Sequence, residues 1–204
     1  MTLFEFDQTL RAEHRIEYLA GVDEAGRGPL AGPVFAAAVI LPPDFVCDEI
    51  RDSKKLSEKK REALECIIKE NALSYAVCTA DVSMIEEINI LNATFFAMQS
   101  AVEALTLQPQ RVLIDGNRPP KLNFPHECLV GGDNTSLSIA AASILAKVAR
   151  DRYLKEVLAK EYPQYQFEKH KGYGTKLHFE KIAEFGPCPQ HRLSFLRKKF
   201  GDTI

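Results

Sequence analysis

The chain has 204 residues, a hydrophobic content of 46% and a formal net charge of −2. This length accommodates one large domain with a sizeable core, and the composition is ordinary for a globular protein. The first 15 residues carry several acids and bases and do not resemble a signal peptide, and the uncharged runs at 33–43 and 137–146 are too short to span a bilayer.

The cysteines indicate the compartment. There are five of them, irregularly spaced and without a C-x-x-C pair, which argues against a disulfide framework or a zinc site. Such cysteines are typical of a reducing compartment, so we expect a cytoplasmic protein that does not bind a membrane.

The charges are unevenly distributed along the chain. Residues 147–204 contain 13 Lys or Arg against 7 Asp or Glu, whereas residues 1–146 contain 13 against 21. A basic C-terminal third beside an acidic body is typical of a surface that binds a polyanion. Ordinary solvated helices would give the same balance, so the charge pattern alone leaves both interpretations open.

In chain order, apolar runs at 18–23 and 34–41 predict two buried strands, and Ser57 predicts the N-cap of a helix that runs to about residue 69. A strand at 73–80, helices at 82–87 and 93–105, and strands at 111–115 and 127–130 follow. A long helix over 136–161 and a helix at 176–185 complete the pattern. This order predicts an α/β layered domain over 1–186, with a mixed five-stranded sheet and helices on its faces. Pro187-Cys188-Pro189 begins a basic tail, 187–204, which we expect to pack on that domain or extend it as a small helical extension.

Acidic residues stand where the predicted strands end. Asp23 and Glu24 end the first strand, Asp115 ends the fourth, and Asp133 follows the fifth. Ligand sites gather at strand ends in open α/β sheets, and carboxylates that converge there would repel one another unless a divalent cation neutralised them. Carboxylates are ligands suited to Mg²⁺ or Mn²⁺. The Gly26-Arg27-Gly28 turn that follows offers backbone N–H groups and a guanidinium to an anion.

Each acid also has a simpler explanation. Asp115-Gly116-Asn117 is a good turn sequence by itself, and Asp133 could cap the long helix. Neighbouring strand residues point to opposite faces, so Asp23 and Glu24 reach one ion only if the chain bends at Gly26. The pattern as a whole favours a metal site beside a phosphate site.

Seven stretches, in order over nearly the whole chain, carry a resemblance to a known family. They are Gly-Val-Asp-Glu-Ala-Gly-Arg-Gly-Pro at 21–29, Asp-Ser-Lys-Lys-Leu-Ser at 52–57, Leu-Ile-Asp-Gly-Asn at 113–117, Gly-Gly-Asp at 131–133, the helical stretch 138–151, His-Lys-Gly-Tyr-Gly-Thr at 170–175 and His-Arg at 191–192. Together they resemble bacterial ribonuclease HII.

The resemblance implies a ribonuclease H-like fold and a set of site residues. It implies four active-site carboxylates that hold Mn²⁺ or Mg²⁺, two ions in the active complex: Asp23, Glu24, Asp115 and Asp133. It further implies that the Gly26-Arg27-Gly28 turn reads the 2′-hydroxyls and phosphate at an RNA-to-DNA step, and that Tyr173 stacks on the following deoxyribose. Asp23 would be the ligand that bridges the ions.

Two positions are less well defined. Lys54 is a candidate for binding phosphate, although lysines that open a helix are more often solvated. Asn134-Thr135 depart from the Ala-Lys-like residues expected after Asp133, which affects a local nucleic-acid contact and not the carboxylate set.

The resemblance implies an endonuclease that hydrolyses the RNA strand of RNA–DNA hybrids and cuts on the 5′ side of ribonucleotides in duplex DNA. Two ions would serve both ends of an in-line displacement, leaving 3′-hydroxyl and 5′-phosphate ends. The alternative is a nucleic-acid-binding protein on the same fold that has lost catalysis, but all four acids are present. We expect a monomer.

Three further predictions concern the basic third. Asp151 is expected to form a surface ion pair rather than to act as a fifth ligand, since Lys155 follows four residues later. The histidines are expected to contact backbone or solvent: His170, His178 and His191. Gln190, Leu193 and Phe195 faintly resemble a sliding-clamp motif, although local packing of the tail explains them better.

Overall fold

The computed structural model describes residues 1–50, 53 and 56–201. Its centre is a five-stranded sheet in the order β3-β2-β1-β4-β5. The strands are β1 (Leu19–Ala25), β2 (Val34–Ile40), β3 (Ser74–Ala80), β4 (Arg111–Asp115) and β5 (His126–Leu129). β1, β2 and β3 pair antiparallel, whereas β4 pairs parallel to both β1 and β5. The predicted mixed five-stranded sheet is therefore confirmed.

Helices cover the sheet and extend beyond it. They are α1 (Leu3–His14), α2 (Glu58–Asn71), α3 (Val82–Glu103), α4 (Leu137–Tyr153), α5 (Ala159–Glu161), α6 (Phe167–His170), α7 (Lys176–Phe185) and α8 (Leu193–Phe200). A π-helical turn, Leu154–Leu158, joins α4 to α5, so the long helix expected at 136–161 is continuous but locally widened. Within the part of the chain that is described, no helix has the length and apolar character needed to cross a membrane.

The helix α3 is interrupted at Asn89. The backbone of this residue is non-helical, with φ 67° and ψ 163°, and its side chain accepts hydrogen bonds from the N–H groups of Leu91 and Asn92. Asn89 therefore caps a second helical segment, as an N-cap residue does. The two separate helices expected at 82–87 and 93–105 correspond to the two halves of α3.

Two apolar layers hold the helices on the sheet. Ala20 and Val22 of β1 face a core shared with α3, while Ala25 faces a core shared with α2 and α4. The helix α4 lies very close to β1, because a Cβ atom at Gly21 would stand 2.1 Å from the carbonyl carbon of Ser138. A glycine in the central strand thus lets the buried, alanine-rich face of α4 approach the sheet.

The N-terminal helix α1 was not predicted. A capping box between Thr2 and Glu5 begins it. Its buried Asp7 accepts hydrogen bonds from the backbone N–H (2.9 Å) and hydroxyl (2.7 Å) of Ser138. The helix α1 is therefore attached to the first turn of α4.

Candidate active site

A cavity of about 210 Å³ opens where β1 and β4 end. Its lining consists of Asp23, Glu24, Ala25, Gly26, Arg27, Gly28, Ser53, Asp115, Ser143, Lys147 and Tyr173. Three of the four predicted carboxylates, the whole Gly26-Arg27-Gly28 turn and Tyr173 therefore share one pocket. Lys54 lies outside the described residues, so its role stays a prediction.

Strand register brings two of the acids together. The parallel pairing of β1 with β4 sets Val22 opposite Ile114, so Asp23 and Asp115 are the next residues along neighbouring strands. Asp23 is 5% exposed and accepts a hydrogen bond of 2.7 Å from the backbone N–H of Glu24. This register places the two acids side by side at the end of the sheet.

The environment of Asp23 disfavours a negative charge. Burial raises the pKa of Asp23 well above its ordinary value, and the charges of Glu24 and Asp115 raise it further, against a smaller opposing hydrogen bond with Ser143. The Ser143 hydroxyl in turn lies 2.9 Å from that of Ser53. A carboxylate that is buried beside other carboxylates is a group that a cation would stabilise.

Glu24 lines the pocket together with Asp23, although strand alternation places their side chains on opposite faces of β1. Gly26 follows with φ of 102°, which a side-chain-bearing residue rarely adopts. The carboxylate of Glu24 lies 3.2 Å from the Arg27 guanidinium, which is itself half exposed. The alternation therefore does not separate the two acids.

Asp133 lies in the 3₁₀ turn Gly132–Asn134 and is buried. It does not belong to the described residues that line the pocket. The turn is nevertheless adjacent, since the N–H of Gly132 donates a hydrogen bond of 2.7 Å to Asp115. Asn134 donates to Asp133 at 2.9 Å, so the residue that departs from the family pattern touches a predicted ligand. Asp133 does not cap α4, because Ser136 is the N-cap of that helix.

The carboxylates are not arranged as a ready metal site. No group of three or more His, Cys, Asp or Glu among the described residues could hold a metal ion as it stands. The chemistry of the donor set still fits a hard divalent cation, since the acids at the pocket supply only carboxylate oxygens and Asp23 is buried among like charges.

Four residues that line the pocket were not predicted: Ala25 on β1, Ser53, and Ser143 and Lys147 on α4. Ser143 and Lys147 are one helical turn apart and therefore share the face that meets β1. The Lys147 ammonium lies 5.7 Å from the centre of the Tyr173 ring, which is 42% exposed. The i, i+4 spacing of Ser143 and Lys147 within a mostly apolar stretch of α4 was the sequence signal that could have identified them.

Asp151 is involved in an ion pair, as expected, but the predicted location and partner were wrong. Its side chain is buried rather than on the surface, and it pairs with Lys147 (2.7 Å) and Arg61 (3.4 Å). Lys155 pairs with Glu58 instead, at 3.7 Å. The long-range partner on α2 could not be inferred from local spacing.

Of the two contacts expected for the histidines, backbone or solvent, the structure shows backbone. His170, His178 and His191 are buried, and the Nε2 atoms of His178 and His191 lie 3.0 Å apart. His170 stacks on His178 with ring centres 4.1 Å apart. The backbone contacts were expected correctly, since His178 Nδ1 lies 2.9 Å from the carbonyl oxygen of Tyr173.

The tail around the clamp-like residues packs on the body. Phe195 contacts the core between the sheet and α3, and its ring lies 5.2 Å from the Arg192 guanidinium. Leu193 is 38% exposed. Local packing therefore accounts for Phe195, as expected.

Comparison with known proteins gives one consistent family. The sequence model of the family described as Ribonuclease HII matches residues 20–198. A Ribonuclease HII from Caldicellulosiruptor saccharolyticus is 55% identical over 195 residues, which are 95% of this chain and 94% of that protein. The solved ribonuclease H2 from Pyrococcus horikoshii OT3 superimposes with a TM-score of 0.72 at 26% identity, over 87% of this chain and 93% of the other. RNase HII in its PCNA complex from Archaeoglobus fulgidus gives 0.66 at 23% identity, over 86% and 94%, and shares the fold.

Proposed function

The chain belongs to the ribonuclease HII family and is thus an endonuclease of the ribonuclease H type, and we propose that it hydrolyses RNA–DNA hybrids and cuts on the 5′ side of ribonucleotides in duplex DNA. One observation carries this proposal. The buried Asp23, its neighbours Glu24 and Asp115, the Arg27 turn and Tyr173 line a single pocket. Acids for phosphodiester hydrolysis thus stand beside groups suited to a phosphate and a sugar.

The proposed cofactor is Mn²⁺ or Mg²⁺. The residues that would hold it are Asp23, Glu24, Asp115 and the adjacent Asp133. When bound, two such ions would activate the attacking water and stabilise the leaving 3′ oxygen, giving 3′-hydroxyl and 5′-phosphate ends.

The protein's own groups bind and orient the substrate. Arg27 is half exposed, and a Cβ at Gly28 would meet no atom within 4 Å, so the turn leaves room for a sugar-phosphate backbone. Tyr173 presents a ring that is 42% exposed at the other side of the pocket, with Lys147 beside it. We propose that the turn binds the ribose hydroxyls and phosphate, and that Tyr173 stacks on the next deoxyribose.

A duplex with a single ribonucleotide tests this function. Wild-type protein with Mn²⁺ or Mg²⁺ is expected to cut once, on the 5′ side of the ribonucleotide, with the cut mapped to one nucleotide on a sequencing gel. Asp115→Asn is expected to lower the cleavage rate by at least about 10²-fold while duplex binding persists, since a metal ligand acts on the chemical step.

A matched control uses an acid away from the pocket, the exposed Asp44. Asp44→Asn is expected to cleave at the wild-type rate. Binding without any incision by the wild type would favour the non-catalytic alternative, and normal rates for Asp115→Asn would exclude Asp115 as a ligand.

A sliding-clamp partner is not part of this proposal. The Archaeoglobus fulgidus structure is titled as a complex with PCNA, but the likeness at 23% identity concerns the fold. In this chain the described part of the candidate motif packs through Phe195 onto the core. A monomer acting on nucleic acid remains the simplest expectation.

A further inference from the structure

Arg192 is a fully buried cation in the tail, and its hydrogen-bond partners are backbone carbonyls. Its guanidinium donates to the carbonyl oxygens of Gly26 (2.7 Å), Arg27 (3.0 Å), Pro29 (2.8 Å) and Gly32 (2.7 Å). Burial, and then the charge of Arg150, lowers the pKa of Arg192 to about 9, which still leaves it charged at neutral pH. One side chain therefore binds the inner side of the whole loop over 26–32.

Peptide geometry determines where the other side of this loop faces. In a trans peptide the C=O and the following N–H point in opposite directions. Because the carbonyls of Gly26 and Arg27 point inward at Arg192, the N–H groups of Arg27 and Gly28 point away from it. Arg27 and Gly28 are exposed and line the pocket. Arg192 thereby orients backbone donors and a positive charge in the manner of an anion-binding turn.

The peptide between Pro29 and Leu30 provides a check on this reasoning. The carbonyl of Pro29 accepts from Arg192, and the N–H of Leu30 in the same peptide donates to the carbonyl of Gly172 at 2.8 Å. Gly172 directly precedes Tyr173. The guanidinium thus also determines the position of the loop relative to the tyrosine.

The tail that carries Arg192 is itself attached to the same loop. The N–H of Arg192 donates to the carbonyl of Leu30 at 2.8 Å, and the N–H of Gly32 donates to the carbonyl of Gln190 at 2.8 Å. On the far side, Glu86 of α3 accepts from the N–H (3.0 Å) and hydroxyl (2.8 Å) of Ser194. The backbone before and after Arg192 is therefore held in place, and this positions the side chain that carries the guanidinium.

We propose that Arg192 is a positioning residue for substrate specificity: it fixes the Gly26-Arg27-Gly28 turn and Tyr173 in the relative position that distinguishes a ribonucleotide followed by deoxyribonucleotide. This assignment rests on the proposed function of that turn. Arg192 lies on the opposite side of the loop from the pocket and acts through the backbone.

The test replaces the guanidinium of Arg192 and keeps its positive charge. Arg192→Lys retains a cation but cannot reach four carbonyls, and Arg197→Lys, on the exposed side of α8, is the matched control. Two substrates are compared: a duplex with a single ribonucleotide and a uniform RNA–DNA hybrid, which contains no RNA-to-DNA step. Arg192→Lys is expected to lower the ratio of the two kcat/KM values by about tenfold, mainly through KM for the first substrate. Arg197→Lys is expected to leave the ratio unchanged.

A second measurement needs no nucleic acid. Amide hydrogen exchange at Leu30, whose N–H binds Gly172, is expected to rise by about tenfold or more in Arg192→Lys, because the carbonyl side of that peptide loses its donor. Unchanged exchange there overturns the positioning role even if the proposed function fails. If the wild type cuts at ribonucleotides, an unchanged ratio of the two kcat/KM values in Arg192→Lys also overturns the positioning role. An equal loss of kcat/KM on both substrates is such a result, and it would mean a general loss of folding.

Discussion

Asp23 is proposed to bind a metal ion as a carboxylate, yet its negative charge is unfavourable in the folded protein without that ion. Burial and the charges of Glu24 and Asp115 raise its pKa, so its ionised form destabilises the fold above the ordinary carboxyl range. We predict that Asp23→Asn abolishes cleavage and raises the melting temperature in EDTA, by about 2–4 °C for each kcal/mol of relieved repulsion. Thermal unfolding at pH 7 measures the shift.

The control for this prediction is the exposed Asp44. Asp44→Asn is expected to leave the melting temperature within about 1 °C, as surface substitutions usually do. Added Mn²⁺ is expected to stabilise the wild type more than Asp23→Asn, because the cation binds the folded carboxylate. A melting temperature for Asp23→Asn below that of the wild type in EDTA would contradict the argument.

The sequence indicated which residues come together where their local context marked them or the family resemblance named them. The acids at strand ends were noted from their position, Tyr173 was named by the resemblance, and the structure brings Asp23, Glu24, Asp115 and Tyr173 to one pocket. Asp151 could not be assigned in this way, since its partner Arg61 lies 90 residues earlier. Contacts between distant elements carry no local signal.

The attachment of α1 to α4 gives a prediction at the scale of elements. Asp7 accepts from the N–H and the hydroxyl of Ser138 in the first turn of α4, and is buried. We predict that Asp7→Ala lowers the free energy of unfolding by roughly 1–3 kcal/mol, since it leaves buried donors without a partner. Urea unfolding measures the change.

A residue on the same helix provides the comparison. Glu13 is exposed on α1, and Glu13→Ala is expected to change the free energy of unfolding by less than about 0.5 kcal/mol. Equal losses for both substitutions would mean that helix propensity of α1, and not the contact with Ser138, accounts for the effect.

Elements were predictable where their own sequence defined them. All five strands were expected: β1 and β2 are apolar runs bounded by glycine or proline, β3 is rich in residues that suit a sheet, and β4 and β5 are followed by glycine turns. The helix α1 was missed although Thr2 and Glu5 form a capping box. Its attachment, from Asp7 to Ser138, spans 131 residues, which no local pattern reports. The π-helical turn Leu154–Leu158 likewise has no sequence signature here.

At the scale of the whole molecule, the fold was predictable from the alternation of strands and helices, but the way the C-terminal third closes on it was not. The three histidines come from α6, α7 and the segment before α8, and they meet only in the folded protein. Their sequence neighbours left contact with solvent open beside contact with backbone, and gave no sign that the three rings meet.

The hydrogen bonds of this cluster require neutral rings. The N–H of Cys188 donates to His191 Nδ1, so the proton of a neutral His191 lies on Nε2 and points at His178 Nε2, 3.0 Å away. His178 then carries its proton on Nδ1 and donates to the carbonyl of Tyr173. A second proton on either ring would set two donors against each other. Burial accordingly lowers the pKa of His178 to about 3 and that of His191 to about 4.

The consequence is an acid-sensitive fold. Histidines in the unfolded chain bind protons below about pH 6.5, whereas the folded pair stays neutral to about pH 4. The free energy of unfolding therefore keeps the full contribution of the neutral pair above pH 6.5, and this contribution is lost as the pH falls. Each histidine is expected to remove about 2 kcal/mol from the free energy of unfolding between pH 7 and pH 5. Urea unfolding of the wild type at the two pH values measures the total, to which acids such as Asp23 contribute in the opposite direction because their pKa is raised.

The contribution of the cluster is isolated by the difference between variants. His178→Asn is expected to be less stable than the wild type at pH 7, because it loses packing against His170 and Phe167, but to lose less stability between pH 7 and pH 5. His14→Asn changes an exposed histidine and is expected to keep the wild-type pH dependence. An equally steep pH dependence in His178→Asn would mean that the ring is already protonated in the fold.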